Sequence, residues 1–150
     1  MPAIDISAEI DIDAAPADVA AAMFDPQQEP QWVHVVTGVE LIDPALAPGA
    51  RVKRLGSFMG REFSWQTEVE AIHFPHVLTM RIAEGPFVGT VRYDIQRSEG
   101  GSRVRIRGAG EAASLPLPAA LVSGPMRAAL TQDLQRLKKL VEEQKPASTH

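Results

Sequence analysis

Apolar residues fall on every second position from Ile4 to Ile12, with Ile4, Ile6, Ala8, Ile10 and Ile12 on one face and Asp5, Ser7, Glu9 and Asp11 on the other. Side chains alternate across a strand, so this pattern predicts a half-buried β-strand. The period then changes. Pro16 occupies a first helical position, Asp18 follows beside the positive end of the helix dipole, and Val19, Met23 and Phe24 form an apolar stripe. A short helix is expected to about Phe24. Asp25-Pro26-Gln27-Gln28 has the cap, proline and N3 glutamine order of a second helix start, which Pro30 is expected to stop after about a turn. Trp32 lands just past that break.

Six further strands are expected, at 35–42, 50–59, 61–73, 77–83, 88–97 and 102–112. In the 61–73 segment Phe63, Trp65, Thr67, Val69 and Ala71 share one face, and Glu62, Ser64, Gln66, Glu68 and Glu70 share the other. Inward rows continue with Leu78, Met80 and Ile82, then Val91, Tyr93 and Ile95, then Val104 and Ile106. Gly60, Pro75, Gly85-Pro86 and Gly100-Gly101 mark the turns. Connections this short build an antiparallel meander. Beyond a stiff Leu115-Pro116-Leu117-Pro118 connector, Leu121, Val122, Met126, Leu130, Leu134, Leu137 and Val141 recur at helical spacing. They predict a helix over about 118–144, bent near its start by Gly124-Pro125 and ended by Lys145-Pro146. The pattern describes one α+β domain over 1–144 and a disordered tail at 145–150.

Composition narrows the chemistry. The chain has 150 residues, enough for one core, with 45% hydrophobic and 23% charged residues, as in globular domains. Aromatic residues are only 5%, so any pocket is expected to be mostly aliphatic. The absence of cysteine excludes thiolate nucleophiles, disulfides, iron–sulfur clusters and Cys-ligated zinc, and it fits a cytoplasmic location. A net charge of -4 argues against nucleic acid or an anionic membrane as partner. The start, Met1-Pro2-Ala3-Ile4-Asp5, lacks the positive and apolar runs of a signal peptide, and no stretch is long enough to anchor stably in a bilayer.

The order of elements is strand, two short helices, six strands and a long helix. With it come a Pro-x-x-Val helix start (Pro16, Val19), an Asp then Trp pair (Asp25, Trp32), a Pro-Gly before a strand (Pro48, Gly49) and a Gly-Ser-Arg-Val strand opening at Gly101. Together they resemble the SRPBCC superfamily over about residues 4–144. That group holds the START-like lipid-transfer domains, the pollen-allergen helix-grip fold and the polyketide cyclase/dehydrase branch. The resemblance implies a seven-stranded curved antiparallel sheet wrapped around the last helix, with a cavity between them for a lipid-like or polycyclic ligand. It supplies no universal catalytic residue. In that arrangement the first and last strands are neighbours, and their outer rows here are opposite in sign: Asp5, Glu9 and Asp11 against Arg103, Arg105 and Arg107. Such rows favour pairing with each other over a basic nucleic-acid patch.

Candidate site residues follow from parity. Trp32, Phe58, Phe63, Trp65, Met80, Tyr93, Met126 and Leu130 are expected to line the cavity, with ordinary core packing as the alternative; a buried Tyr93 hydroxyl would need a polar partner. Phe87 is the apolar tip of Gly85-Pro86-Phe87-Val88-Gly89, which would serve as a gate at the cavity mouth unless it is a plain hairpin turn. Arg54 shares the parity of Val52, Gly56 and Phe58; facing inward it would need an anion, and would hold a ligand carboxylate, phosphate or enolate, unless a register shift at Gly56 turns it to water. His34 would be a general acid or base only if it pointed inward rather than out of its loop. His73 and His76 flank a turn without metal-ligand spacing, and no cofactor motif is present. No paired inward carboxylates are expected, since Glu62, Glu68, Glu70 and Glu111 have outward parity, a bulge at Gly108 and Gly110 being the one device that would turn Glu111 around. Two functions are compatible with this set. One is binding or transport of a small hydrophobic molecule; the other is a polyketide cyclase or dehydratase in which Arg54, His34 or Tyr93 polarises a carbonyl or moves a proton. Oligomeric state is not legible.

Overall fold

The computed structural model describes residues 3–58, 60–84, 87–112 and 119–144. The expected tail at 145–150, the Leu-Pro connector and the Gly85-Pro86 tip lie outside them. Seven strands form one antiparallel sheet: β1 (Ala3–Ile12), β2 (Val36–Leu41), β3 (Arg51–Phe58), β4 (Arg61–His73), β5 (Val77–Glu84), β6 (Phe87–Ser98) and β7 (Gly101–Ala112), in the order β1-β7-β6-β5-β4-β3-β2. Between β1 and β2 lie α1 (Pro16–Met23), a 3-10 turn at Pro26–Gln28 and α2 (Glu29–Trp32); α3 (Ala119–Gln144) closes the chain. This is the helix-grip arrangement: a meander from β2 to β7, joined at its far side by β1.

No turn connects β1 to β7, and opposite charges support their pairing. Glu9 lies opposite Arg105 and Asp11 opposite Arg103. Arg107 clasps the Asp5 carboxylate through bonds of 2.9 and 2.7 Å, and Arg103 reaches both Asp11 and Glu9. The strands hold a continuous register from Ala3↔Glu111 to Ile12↔Ser102. Gly108 and Gly110 therefore do not bulge β7, and Glu111 keeps the outward parity of its arginine neighbours. Gly110 serves a different purpose: it sits opposite Gly89, and a Cβ on it would lie 2.0 Å from the Val88 carbonyl. Only glycine allows the two backbones to approach this closely.

Two local expectations change. Pro30 does not end the second helix but stands in the first turn of α2, where its missing N–H costs nothing. Asp25 caps the preceding 3-10 turn by accepting from the Gln27 backbone N–H. On β4 the register shifts between Val69 and Ala71, so that Val69 faces Met80 and Ile72 faces Leu78. The extra residue flips the parity, and Ile72 rather than Ala71 packs on the core.

The concave face of the sheet has a closed end and a looser end. At the closed end Leu134, Leu137 and Val141 of α3 are buried with Val19, Met23, Ile95 and Val104. Here α3 runs along β1 and is tied to its end, with Lys138 donating to the Asp11 carbonyl and Glu142 accepting from the Asp13 N–H. Towards the N-terminal half of α3, Met126 and Leu130 are only half-buried, as are Phe63 and Trp65 on β4. The helix continues through Gly124 and Pro125.

Candidate functional site

Arg54 settles the question its parity raised. The β3–β4 register runs unbroken through Gly56, so Arg54 lies opposite Trp65 on the inward face and is 3% exposed. The shift that would have put it in water falls elsewhere, on β2 between Val36 and Gly38. Its partner is Glu29, the first residue of α2 and itself 4% exposed. Nε and Nη2 of Arg54 each donate to one Glu29 oxygen at 2.7 Å, and Nη1 donates to the Thr67 hydroxyl. Nη2 also approaches Met80 Sδ at 3.7 Å. Burial pulls the guanidinium pKa down, but the Glu29 charge and hydrogen bonds outweigh it and hold Arg54 above the usual arginine range. The bidentate clamp consumes the charge locally, so Arg54 is not a free cation awaiting a ligand anion.

Glu29 went unnoticed in the sequence because it belongs to no strand row and to no periodic helix face. The indirect signal was Arg54, which demanded an anionic partner without naming one. Asp133 was also missed. It lies in the buried stripe of α3 at 2% exposure, accepts from the His34 backbone N–H at 3.0 Å and takes an Arg136 bond at 2.7 Å. Burial pushes its carboxyl above the ordinary carboxylate range, with the His34 N–H and Arg136 pulling the other way. Arg136 reaches on to the Trp32 carbonyl, so this triad fastens the end of α2 to α3. Among the described residues, two carboxylates that belong to no strand row, Glu29 and Asp133, are thus buried, each bonded to an arginine.

Around the Arg54–Glu29 pair stand the aromatic residues. Tyr93, opposite Leu78 and Ile106 on the middle strands, is buried. Its ring meets Trp32 at 6.0 Å and Phe24 at 6.2 Å, and Phe24 meets the exposed Phe74 edge-on at 5.9 Å. An aromatic series therefore leads from the surface to the pair. Burial, with the Glu29 charge second, raises the Tyr93 pKa far above that of a free phenol. Tyr93 is accordingly a neutral hydroxyl, suited to donating a hydrogen bond and unsuited to acting as a phenolate base. Trp32 is 1% exposed, and its Nε1 has no hydrogen-bond partner among the described residues; Gln28 Oε1 shares that condition.

Trp65 lies over Gly56. A Cβ at Gly56 would fall 2.6 Å from the indole and 2.5 Å from the Val35 carbonyl, so the glycine is the floor on which the ring rests. Phe63 packs beside it at 5.1 Å. Met80 is buried against the pair, while Trp65, Phe63, Leu130 and Met126 are half-buried. The side chains of Phe58 and Phe87 lie outside those described, as does the tip of the expected gate. His34 is exposed and donates its backbone N–H to Asp133. His73 and His76 are exposed too, and His76 Nδ1 contacts the Ile95 carbonyl at 2.8 Å. Among the described residues no group of side chains has metal-binding geometry, and no helix is long and apolar enough to cross a membrane.

Solved structures share this fold. The Zhui aromatase/cyclase from Streptomyces sp. R1128 is similar over 98% of each chain, with a TM-score of 0.82 at 13% identity. Protein TTHA0849 from Thermus thermophilus is similar over 95% of this chain and 99% of its own, with a TM-score of 0.81 at 20% identity. A START superfamily protein from Mycobacterium smegmatis is similar over 97% and 100%, with a TM-score of 0.80 at 16% identity. At such identities the likeness establishes a common fold. No curated protein matches the sequence. The model of the family described as polyketide cyclase / dehydrase and lipid transport matches residues 3–142. The chain belongs to that family.

Proposed function

We propose that this protein binds, and carries or sequesters, a small hydrophobic molecule between the sheet and the N-terminal half of α3. The observation behind this reading is the uneven burial of the inward apolar set. Leu134, Leu137 and Val141 are sealed at one end of the concave face, whereas Phe63, Trp65, Met126 and Leu130 share its inward direction and remain half-buried. Apolar side chains that face inward and keep contact with solvent have surface left for a ligand to cover, and each 100 Å² so covered contributes about 2.5 kcal/mol. Met and aromatic walls with few polar groups suit a molecule of lipid-like or polycyclic type.

The cyclase or dehydratase reading has less support. Of its three candidate groups, Arg54 is neutralised by Glu29, His34 points to solvent and Tyr93 is held as a neutral phenol. Proton transfer at neutral pH requires a group whose pKa lies near the working pH, and neither buried group, Arg54 nor Tyr93, is one. The test is native mass spectrometry of gently purified protein, with organic extraction of whatever accompanies it. A co-purifying apolar molecule, or uptake of added naphthalene that protects Trp65 from acrylamide quenching, is the expected result. A protein that retains nothing and whose Trp65 stays equally quenchable overturns the reading.

A further inference from the structure

Buried polar groups in folded proteins are nearly always hydrogen-bonded, because an unpaired one costs about 1–3 kcal/mol. In this interior the charged groups obey that rule. Arg54 spends its donors on Glu29 and Thr67, and Asp133 accepts from the His34 N–H and from Arg136. Two neutral atoms do not: Trp32 Nε1, a donor, and Gln28 Oε1, an acceptor, are buried without a partner among the described residues. They are four residues apart, Gln28 at the N-cap of α2 and Trp32 its last residue, the spacing that brings side chains to the same helix face. The Trp32 ring is in edge contact with Tyr93, so this donor–acceptor couple borders the aromatic cluster.

We propose that the ligand carries a neutral hydroxyl group, which accepts from Trp32 Nε1 and donates to Gln28 Oε1. The inference rests on the binding function proposed above and adds the chemical class of the ligand. A hydroxyl is the smallest common group that both accepts and donates, so it satisfies both orphan atoms at once. A carboxylate answers only the indole. It would also meet the Gln28 oxygen and the adjacent Glu29 with its own charge, and the guanidiniums of Arg54 and Arg136 are already paired with Glu29 and Asp133. A site with a fixed polar pair discriminates sharply against molecules that leave the pair unmatched.

Four probes of one shape separate the possibilities: naphthalene, 2-methoxynaphthalene, 2-naphthol and 2-naphthoate, each equilibrated with the full chain by dialysis at neutral pH. The expected order is naphthol tightest, then the methoxy compound, then naphthalene, with naphthoate weakest. The gap between naphthol and naphthalene is expected to be about tenfold or more, as two matched hydrogen bonds imply. Trp32→Phe is expected to abolish the advantage of the methoxy compound over naphthalene, and Gln28→Met the advantage of naphthol over the methoxy compound. Gln28→Met, at a half-buried position, guards against a folding defect in the tryptophan variant; both are checked by thermal melting. Equal binding of all four leaves the hydrophobic-binding function standing and overturns the hydroxyl assignment. So does tightest binding of naphthoate, or an order that neither variant changes. If none of the four is retained, both readings fall.

Discussion

Arg54 and Glu29 meet through two parallel hydrogen bonds of 2.7 Å, with both side chains almost wholly withdrawn from water. The pair joins the middle of β3 to the start of α2 and so fixes where the short helices sit over the sheet. Removing charges from water is expensive, and the mutual attraction offsets that cost only while both partners are present.

Loss of one partner should therefore hurt more than loss of both. Glu29→Leu or Arg54→Met alone is expected to destabilise the fold by about 3–5 kcal/mol, because a bare charge stays buried. The double replacement Glu29→Leu with Arg54→Met should recover most of that loss. Urea unfolding of the four proteins in a double-mutant cycle measures the coupling; additive single effects would mean the pair is not coupled as the geometry indicates.

Tyr93 is the only tyrosine in the chain, which makes its ionisation directly visible. Burial and the Glu29 charge raise its pKa, so the folded state binds the phenolic proton more tightly than the unfolded state does. The sign follows from linkage: above the unfolded value of 10.0, rising pH favours unfolding. Absorbance at 295 nm should show no phenolate in the range where a free tyrosine ionises. It should then appear in one step together with loss of the circular dichroism signal. Gradual ionisation in the folded protein would contradict the burial of Tyr93.

Gly56 supports Trp65 from below. Gly56→Ala places a methyl group within 3 Å of both the indole and the Val35 carbonyl, and backbone cannot move aside as a flexible side chain does. The expected cost is about 1–3 kcal/mol, typical of overpacking. In a Trp32→Phe background, Trp65 is the only fluorophore of its kind, and its emission should shift and become easier to quench. An unchanged spectrum would show that the ring does not rest on this glycine.

The sequence made the sheet legible because each inward row repeats with a period of two and glycine or proline stands at the turns. Its reading failed where the period was interrupted. The bulge at Val69/Ala71 exchanges Ala71 for Ile72 with no residue that advertises it, and Pro30 reads as a stop when it is a start. The candidate site was legible to the same extent. Tyr93, Met80 and Trp32 were placed by parity or position and are buried, whereas Glu29, Thr67 and Gln28 acquire their meaning only from Arg54 and Trp32 beside them. Long-range polar pairing has no period. A partner 25 residues away cannot be found from spacing, only from the need of a buried charge for its opposite.

Asp133 offers a test of how α2 is fastened to α3, and its sign differs from that of the surface carboxylates. Asp5 and Asp43 sit below the ordinary 3.8 through their arginine partners, so they favour folding at neutral pH and lose that contribution on acidification. Asp133 is raised by burial, so its folded form holds a proton at pH values where the unfolded form has released it. As pH climbs from 3.8 through the raised value, the unfolded state gains relative stability from this group. Asp133→Asn removes the titration but keeps an acceptor oxygen for the His34 N–H and for Arg136. The stability of wild type minus that of Asp133→Asn, from urea midpoints between about pH 3 and 7, should therefore fall as pH rises across that window and level off above it. A difference that grows with pH would mean that the Arg136 and His34 contacts outweigh desolvation, and that Asp133 behaves as an ordinary ion-paired carboxylate.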